Sequence, residues 1–259
     1  MPPRHPQRSL RHEYELYVEE EIEKYKESLP RSALLGIGDE AAKLLASDPQ
    51  IGLTELLLWE EVDRIIRKRL GLASYRAWRR QRIKLLAELR RPEYWGLHED
   101  DAVVSALNAA ADSRVLVAGA KDERSALYLA AIGCEVTTID TQLDALERVL
   151  DAAHEAGLAS RVRAEIADLS SWSPAAPLTA VVCTPAALGD LTTAQRAHAI
   201  DVLQRATATG GIHLLHTAEL ADVPRVPIDE LRVQYGGWEV SVESFRGAPD
   251  TFLARKTLQ

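Results

Sequence analysis

The stretch Arg114 to Asp140, RVLVAGAKDERSALYLAAIGCEVTTID, constrains the fold more than any other part of the chain. RVLVAG is a short apolar run ending in glycine, the pattern of a strand buried on both faces in a parallel sheet. Asp122 then stands where a helix N-cap belongs, ahead of SALYLAAIG, whose apolar residues have helical spacing. CEVTTID is a second β-branched run, and it stops at an acid, Asp140. Strand, tight turn, helix and strand make a βαβ unit of nucleotide-binding type. The acid falls about 20 positions after the first turn.

Residues beyond Asp140 continue the same sheet. LDALERVLDAAHEAG reads as a helix closed by Gly157, RVRAEIADL as a strand ending in Asp168, and LTAVVCTP as another continuous apolar strand. Thr193 to Thr209 has helical spacing and is expected to close at Gly210 and Gly211, before the strand GIHLLHT. ELRVQYGG reads as a short helix, and WEVSVESFRG and DTFLARKT as two strands joined by a Gly-Ala-Pro turn. Strands alternate with helices until this hairpin. The expected fold is therefore α/β: a doubly wound, mostly parallel, seven-stranded sheet with an antiparallel edge.

The part before the βαβ unit has a different character. Residues 1–12 are expected as a disordered tail, 13–97 as an all-helical region and 98–259 as the α/β domain. The expected helices are Glu13 to Leu29, Leu34 to Leu45 broken by Gly-Ile-Gly, Glu55 to Leu70 capped by Thr54, and Tyr75 to Arg90 capped by Ser74. A further helix, His98 to Ala111, leads into the first strand.

Charge is placed unevenly along these helices. The whole chain carries −8, from 31 basic and 39 acidic residues, which argues mildly against a nucleic-acid binder overall. Yet Arg64 to Arg91 holds 11 Lys and Arg against the single acid Glu88, and Glu13 to Glu27 holds seven Glu and two Lys. The basic segment has two readings. It is a surface for a protein or nucleic-acid partner, with Tyr75 and Trp78 available to stack on bases. Or its cations pair with the acidic first helix and face solvent; the nearness of the acidic run favours this one.

Cys134 and Cys183 each lie in an expected buried strand and read as buried free thiols. No Cys or His cluster has metal-ligand spacing, so no metal is expected. No apolar run reaches the length of a membrane span and the first residues hold no hydrophobic signal region, so a cytoplasmic location is the default. A nicotinamide dehydrogenase is disfavoured by the lack of G-x-G-x-x-G.

From Arg114 onward the chain resembles the class I S-adenosylmethionine-dependent methyltransferases. ALYLAAIGCEVTTID is similar to their first helix and second strand, EAGLASRVRAEIADLSSW to their third strand and its loop, and LTAVVCTPAAL to their fourth strand. LQRATATGGIHLLHT, YGGWEVSVESF and FLARKT match the closing elements in order. The resemblance implies a methyltransferase of unknown acceptor that binds S-adenosylmethionine. It implies that Asp140 accepts from both ribose hydroxyls and that Asp168 and Leu169 meet the adenine. Thr184, with Cys183 and Pro185, follows the fourth strand, where the family positions the methyl acceptor. The departure lies in the first loop. The family's acid and G-x-G-x-G are matched here by Val117, Gly119, Lys121 and Glu123, so only the first glycine remains. Lys121 is a candidate partner for the cofactor carboxylate; Asp122 and Glu123 alternatively make a favourable first turn for the helix. His216, at the end of the fifth strand, is the weak candidate for a general base, against a plain strand-end role. The alternative function is a catalytically inactive scaffold of the same fold, whose charged helical region binds a protein or nucleic-acid partner.

Overall fold

A computed structural model describes residues 9–46, 55–107, 113–120, 123–217, 226–243 and 250–257. The expected caps Thr54 and Asp122 and the Gly-Ala-Pro turn lie outside these residues. By their contacts the residues form two compact units that divide between Leu85 and Leu86.

The first unit is helical: α1 (Leu10–Ser28), α2 (Arg31–Ala46), α3 (Glu55–Leu70) and α4 (Tyr75–Leu89), the last running on past the division. Tyr14, Val18 and Ile22 recur every four residues along α1 and bury against Ile37 and Ala41 of α2 and Ile65 and Ile66 of α3. Two boundaries differ from the spacing-based reading. α1 starts three residues early because the Ser9 hydroxyl accepts from the His12 N–H and caps it. α2 runs unbroken through Gly36 and Gly38, since burying Ile37 between them outweighs the weak helix propensity of glycine.

The second unit is the α/β sheet. Its strands are β1 (Arg114–Ala118), β2 (Glu135–Asp140), β3 (Val162–Ile166), β4 (Leu178–Cys183), β5 (Thr207–His216), β6 (Glu239–Glu243) and β7 (Thr251–Arg255). They are ordered β3-β2-β1-β4-β5-β7-β6, parallel from β3 to β5, with β7 antiparallel to both neighbours. The expected seven-stranded, mostly parallel sheet is what forms. Helix α5 (Ala102–Leu107) precedes β1, and between the strands lie α6 (Glu123–Ala131), α7 (Leu143–Glu155), α8 (Pro185–Gly189), α9 (Thr193–Ala206) and α10 (Ile228–Gln234).

Period-2 alternation divides the core. Val115 and Val117 of β1 face a cluster with α5, α6 and α7, while Leu116 and Ala118 face one with α9 and α10. β1 and β4 sit centrally and are buried on both faces, which is why they read as continuous apolar runs. Helix α5 begins at Ala102, four residues after the expected start, and its expected end at Ala111 lies outside the described residues. Gly210 and Gly211 do not close α9. The helix stops at Ala206, the Thr207 hydroxyl donates to the Leu203 carbonyl, and β5 has already begun. The glycines serve an irregularity in β5 instead: Leu178 pairs with Thr207, but Ala180 already pairs with Ile212. Gly210 takes φ +77°, and a Cβ on Gly211 would stand 2.4 Å from Thr207 Cγ2.

Candidate functional site

The carboxyl ends of β1, β2 and β4 meet beside one another, where β1 stands between its two parallel neighbours. In an open parallel sheet this is where ligands bind. Three backbone links set the geometry. The Gly119 N–H donates to the Ile139 carbonyl at 2.9 Å, the Thr184 N–H to the Ala118 carbonyl at 2.9 Å, and the Ala167 N–H to the Asp140 carbonyl at 3.1 Å. The turns after β1, β3 and β4 are thereby tied to the strands next to them.

Gly119 is the tightest point. Its φ is +89°, a left-handed conformation that a side chain resists. A Cβ there would lie 1.9 Å from Thr184 Oγ1 and 3.1 Å from Thr184 Cβ. Glycine is therefore required twice over, for its backbone angle and for the approach of the next strand end. Thr184 Oγ1 itself is buried and has no hydrogen-bond partner among the described residues. An unpaired buried hydroxyl costs about 1–3 kcal/mol, so it is an opening for a ligand's polar group.

Asp140 closes the loop after β1. Its Oδ2 accepts from the Ala120 N–H at 2.7 Å, and its Oδ1 from the Gln142 N–H at 2.9 Å. Asp140 thus holds two backbone segments with one side chain. It shapes the start of α7, where Gln142 has no side-chain cap of its own, and it fixes the first loop. A carboxylate has about four lone-pair sites, so two remain for a ligand. The Ala120 contact was invisible in sequence because it joins positions 20 apart through a turn.

Asp168 is exposed beyond β3, with Oδ1 accepting from the Ser170 N–H at 2.7 Å, while its neighbour Leu169 is buried in the core. It thus holds a turn after β3, and the second oxygen takes no bond from a described backbone group. Glu123 opens the first turn of α6, as the dipole reading expects, and Lys121 lies outside the described residues. His216 ends β5. The pairing Cys183↔Leu215 leaves Thr184 and His216 as the next residues at adjacent strand ends. Its Nδ1 lies 3.0 Å from Thr251 Oγ1. Among the described residues no group of three or more His, Cys, Asp or Glu could hold a metal.

Burial pushes the Cys183 thiol up to about 12, so it remains protonated near neutral pH. His213, on the other face of β5 from His216, is fully buried in a relay of donors. The Thr207 hydroxyl gives its proton to the Leu203 carbonyl at 2.7 Å, so it accepts from His213 Nε2, and His213 Nδ1 accepts from the Tyr235 hydroxyl. Burial, helped by the charge of Lys256, holds His213 down to about 3. It is a structural neutral imidazole, and its partner Tyr235 lay too far along the chain to be read from spacing. A groove of about 670 Å³ lies elsewhere, lined by Arg90, Arg91, Glu93, Glu99, Ser105 and Tyr128 among others. It shares no residue with the strand ends. The strand-end loops hold the unpaired hydroxyl and the glycine cradle.

The basic segment resolves into two sets. Arg82 pairs with Glu13, Arg69 with Glu40, and Arg67 donates to the Tyr14 hydroxyl. Of these, Arg82 meets an acid of the first helix, Arg69 an acid of α2, and Arg67 a neutral hydroxyl on α1. Tyr75 and Trp78 are partly buried in an aromatic cluster. Their rings lie 5.4 Å from that of Tyr14, and Trp78 also stacks on Tyr17 at 6.1 Å.

A family model described as tellurite resistance protein TehB matches residues 93–242. No curated protein matches the sequence. Among solved structures, TehB from Haemophilus influenzae is 22% identical with a TM-score of 0.50, over 62% of this chain and 63% of that one. The chain thus spans less than two thirds of that protein's length. CalS10 from Micromonospora echinaspora, described as an amino pentose methyltransferase with S-adenosylmethionine bound, is 15% identical with a TM-score of 0.50, over 61% of this chain and 88% of that one. The [4+2]-cyclase SpnF is 17% identical with a TM-score of 0.52, over 61% of this chain and 80% of that one. At these identities the likeness is one of fold.

Proposed function

Because this chain belongs to the TehB family, of class I methyltransferase-like proteins, we propose that it is an S-adenosylmethionine-dependent methyltransferase. The acceptor is left open. Fold likeness alone would not decide the reaction, since one protein of similar fold is described as a cyclase. The observation that carries the reading is the cradle at Gly119. A positive φ, no room for a Cβ, and the orphaned Thr184 hydroxyl coincide beside Asp140 at the strand ends.

S-adenosylmethionine, when bound, supplies a methyl group on a cationic sulfur that is open to in-line displacement. The protein's part is positioning. Asp140 accepts from the ribose hydroxyls with the lone pairs its backbone contacts leave open. Gly119 lets the first loop close on Thr184 and so sets the unpaired hydroxyl beside Asp140. Asp168 offers an acceptor for an exocyclic amine, while Leu169 anchors that loop in the core. Lys121 pairs with the ligand carboxylate, and Thr184 bonds a polar group where the acceptor enters. His216, one strand over, takes the acceptor's proton where the acceptor is an alcohol or a protonated amine.

Calorimetry or thermal shift with S-adenosylmethionine and S-adenosylhomocysteine tests this. At ligand one hundred times above Kd, linkage stabilises the fold by about 2.7 kcal/mol. Asp140→Asn removes a charge-assisted acceptor and is expected to weaken binding about 10- to 100-fold. Asp168→Asn, exposed and less involved in the fold, controls for misfolding and weakens binding less. Absence of binding at millimolar ligand by the native protein overturns the proposal and leaves the inactive scaffold. Nothing in the comparisons favours that scaffold now.

A further inference from the structure

The residues of α4 that the internal contacts leave out form a row of cations, and the row bears on a part of the molecule the methyltransferase reading does not use. Arg76, Arg79, Arg80 and Lys84 are all exposed, and none forms an ion pair or hydrogen bond among the described residues. At about 100° per residue they fall within an arc of about 140°. Trp78 and Arg82 lie on the opposite side, turned into the aromatic cluster and the Glu13 pair. Arg76, Arg80 and Lys84 are spaced one turn apart, about 6 Å per step along the axis. Elsewhere in this unit most cations are matched: Lys24 with Glu20, Lys26 with Asp63, Arg64 with Glu61 and Arg69 with Glu40. A chain of net charge −8 that leaves four adjacent cations unmatched on one helix holds a local field opposite to its own average.

We propose that the exposed side of α4 binds the sugar-phosphate backbone of a nucleic acid, without reading its sequence. Three of the four cations are arginine, whose planar fork matches phosphate oxygens two at a time. A straight row of charges suits a polymer that carries phosphates along its length better than it suits an isolated anion. Tyr75 and Trp78, which could stack on bases, are partly buried in the aromatic cluster and lie outside the cationic arc, so the row itself offers contacts to the backbone. A lipid surface fits less well, because membrane-seated helices need a broad apolar side. Here Ile83 is the one large apolar residue within the cationic arc, and it is 46% exposed.

The experiment is a fluorescence-anisotropy titration of the full chain with labelled 20-base-pair duplexes of two unrelated sequences, from 50 to 300 mM salt. Four phosphate contacts predict a slope of log K against log salt near −3.6, and about 100-fold weaker binding at 200 mM than at 50 mM. The two sequences should bind within about 3-fold of each other. The triple variant Arg76→Gln, Arg80→Gln, Lys84→Gln should bring the slope to about −1. Replacing Arg76, Arg79 and Arg80 by lysine should keep it. These positions are exposed, and circular dichroism and the thermal midpoint of each variant verify the fold. No binding at 50 mM salt, or an unchanged slope in the triple variant, overturns the proposal. So does equal affinity for polyglutamate or for phosphatidylserine vesicles. A salt-sensitive dimer in sedimentation that disappears in the triple variant also overturns it, since the stripe would then be serving a second copy.

Discussion

Replacing Gly119 by alanine tests the site at its tightest point, and the cost can be built from two parts. A non-glycine residue at φ +89° gives up about 1–2 kcal/mol. The new Cβ also meets Thr184 Oγ1 at 1.9 Å, so the threonine side chain or the β4 end must move. Overpacking of that kind costs about 1–3 kcal/mol more. The expected total is about 2–5 kcal/mol. Thr184→Ala removes Oγ1 and Cγ2 and leaves only the contact with its own Cβ at 3.1 Å. It also deletes a hydroxyl that bonds to nothing among the described residues. In that background Gly119→Ala should cost only the backbone part. The double-mutant cycle therefore predicts a coupling of about 1–3 kcal/mol between the two sites. Because the two units need not unfold together, the readout is hydrogen exchange at the Thr184 and Gly119 amides, which bond to Ala118 and Ile139. Additivity within about 0.5 kcal/mol would refute the close approach, and so the cradle on which the cofactor reading depends.

Two more outcomes come from buried groups. His213 stays neutral in the fold down to about 3, whereas an unfolded imidazole takes its proton near 6.5, so the unfolded state binds more protons between these values. Its contribution is complete above pH 6.5 and is lost as pH falls towards 3, by up to roughly 4–5 kcal/mol. Urea midpoints of the native protein and of His213→Gln should therefore converge as pH drops from 7 to 5; a constant difference would sink this account. Cys183 and Cys134 are both buried, and Cys183 is held near 12, so an aromatic disulfide reagent at pH 8 should label neither until the protein unfolds. Rapid labelling of the native protein would mean that the β4 end opens.

The sheet was legible because each of its central strands is an uninterrupted apolar run, and the order of runs and helices leaves few parallel topologies. Gly119 and Asp140 were legible for the same reason: a strand end marks its own position. The features that escaped depend on distant partners. Spacing alone suggests that Gly-Ile-Gly breaks α2, but Ile37 is nearly inaccessible in the packed unit and the helix continues. Gly210 and Gly211 look like a helix stop, yet the stop is the Thr207 hydroxyl and the glycines belong to a strand irregularity. Tyr75 and Trp78 look like stacking residues beside a run of arginines, and only the position of Tyr14 shows them to be core. Short α8 carried no periodic signal at five residues.

The order of β5, β7 and β6 has a consequence for how the chain must be made. β7 comes after β6 in the chain but lies between β5 and β6 in the sheet. On a ribosome, β1 to β4 and the inner edge of β5 are available to pair long before β7 emerges. Until Thr251–Arg255 arrives, β5 presents an open ten-residue edge with Leu214 and Leu215 in it, and β6 has no neighbour to bond. The last strand of the sheet is thus a wedge inserted between two waiting strands. A nascent chain halted before Phe252 would carry Gly119, Asp140 and Thr184 at their strand ends on a sheet whose sticky side is still uncovered.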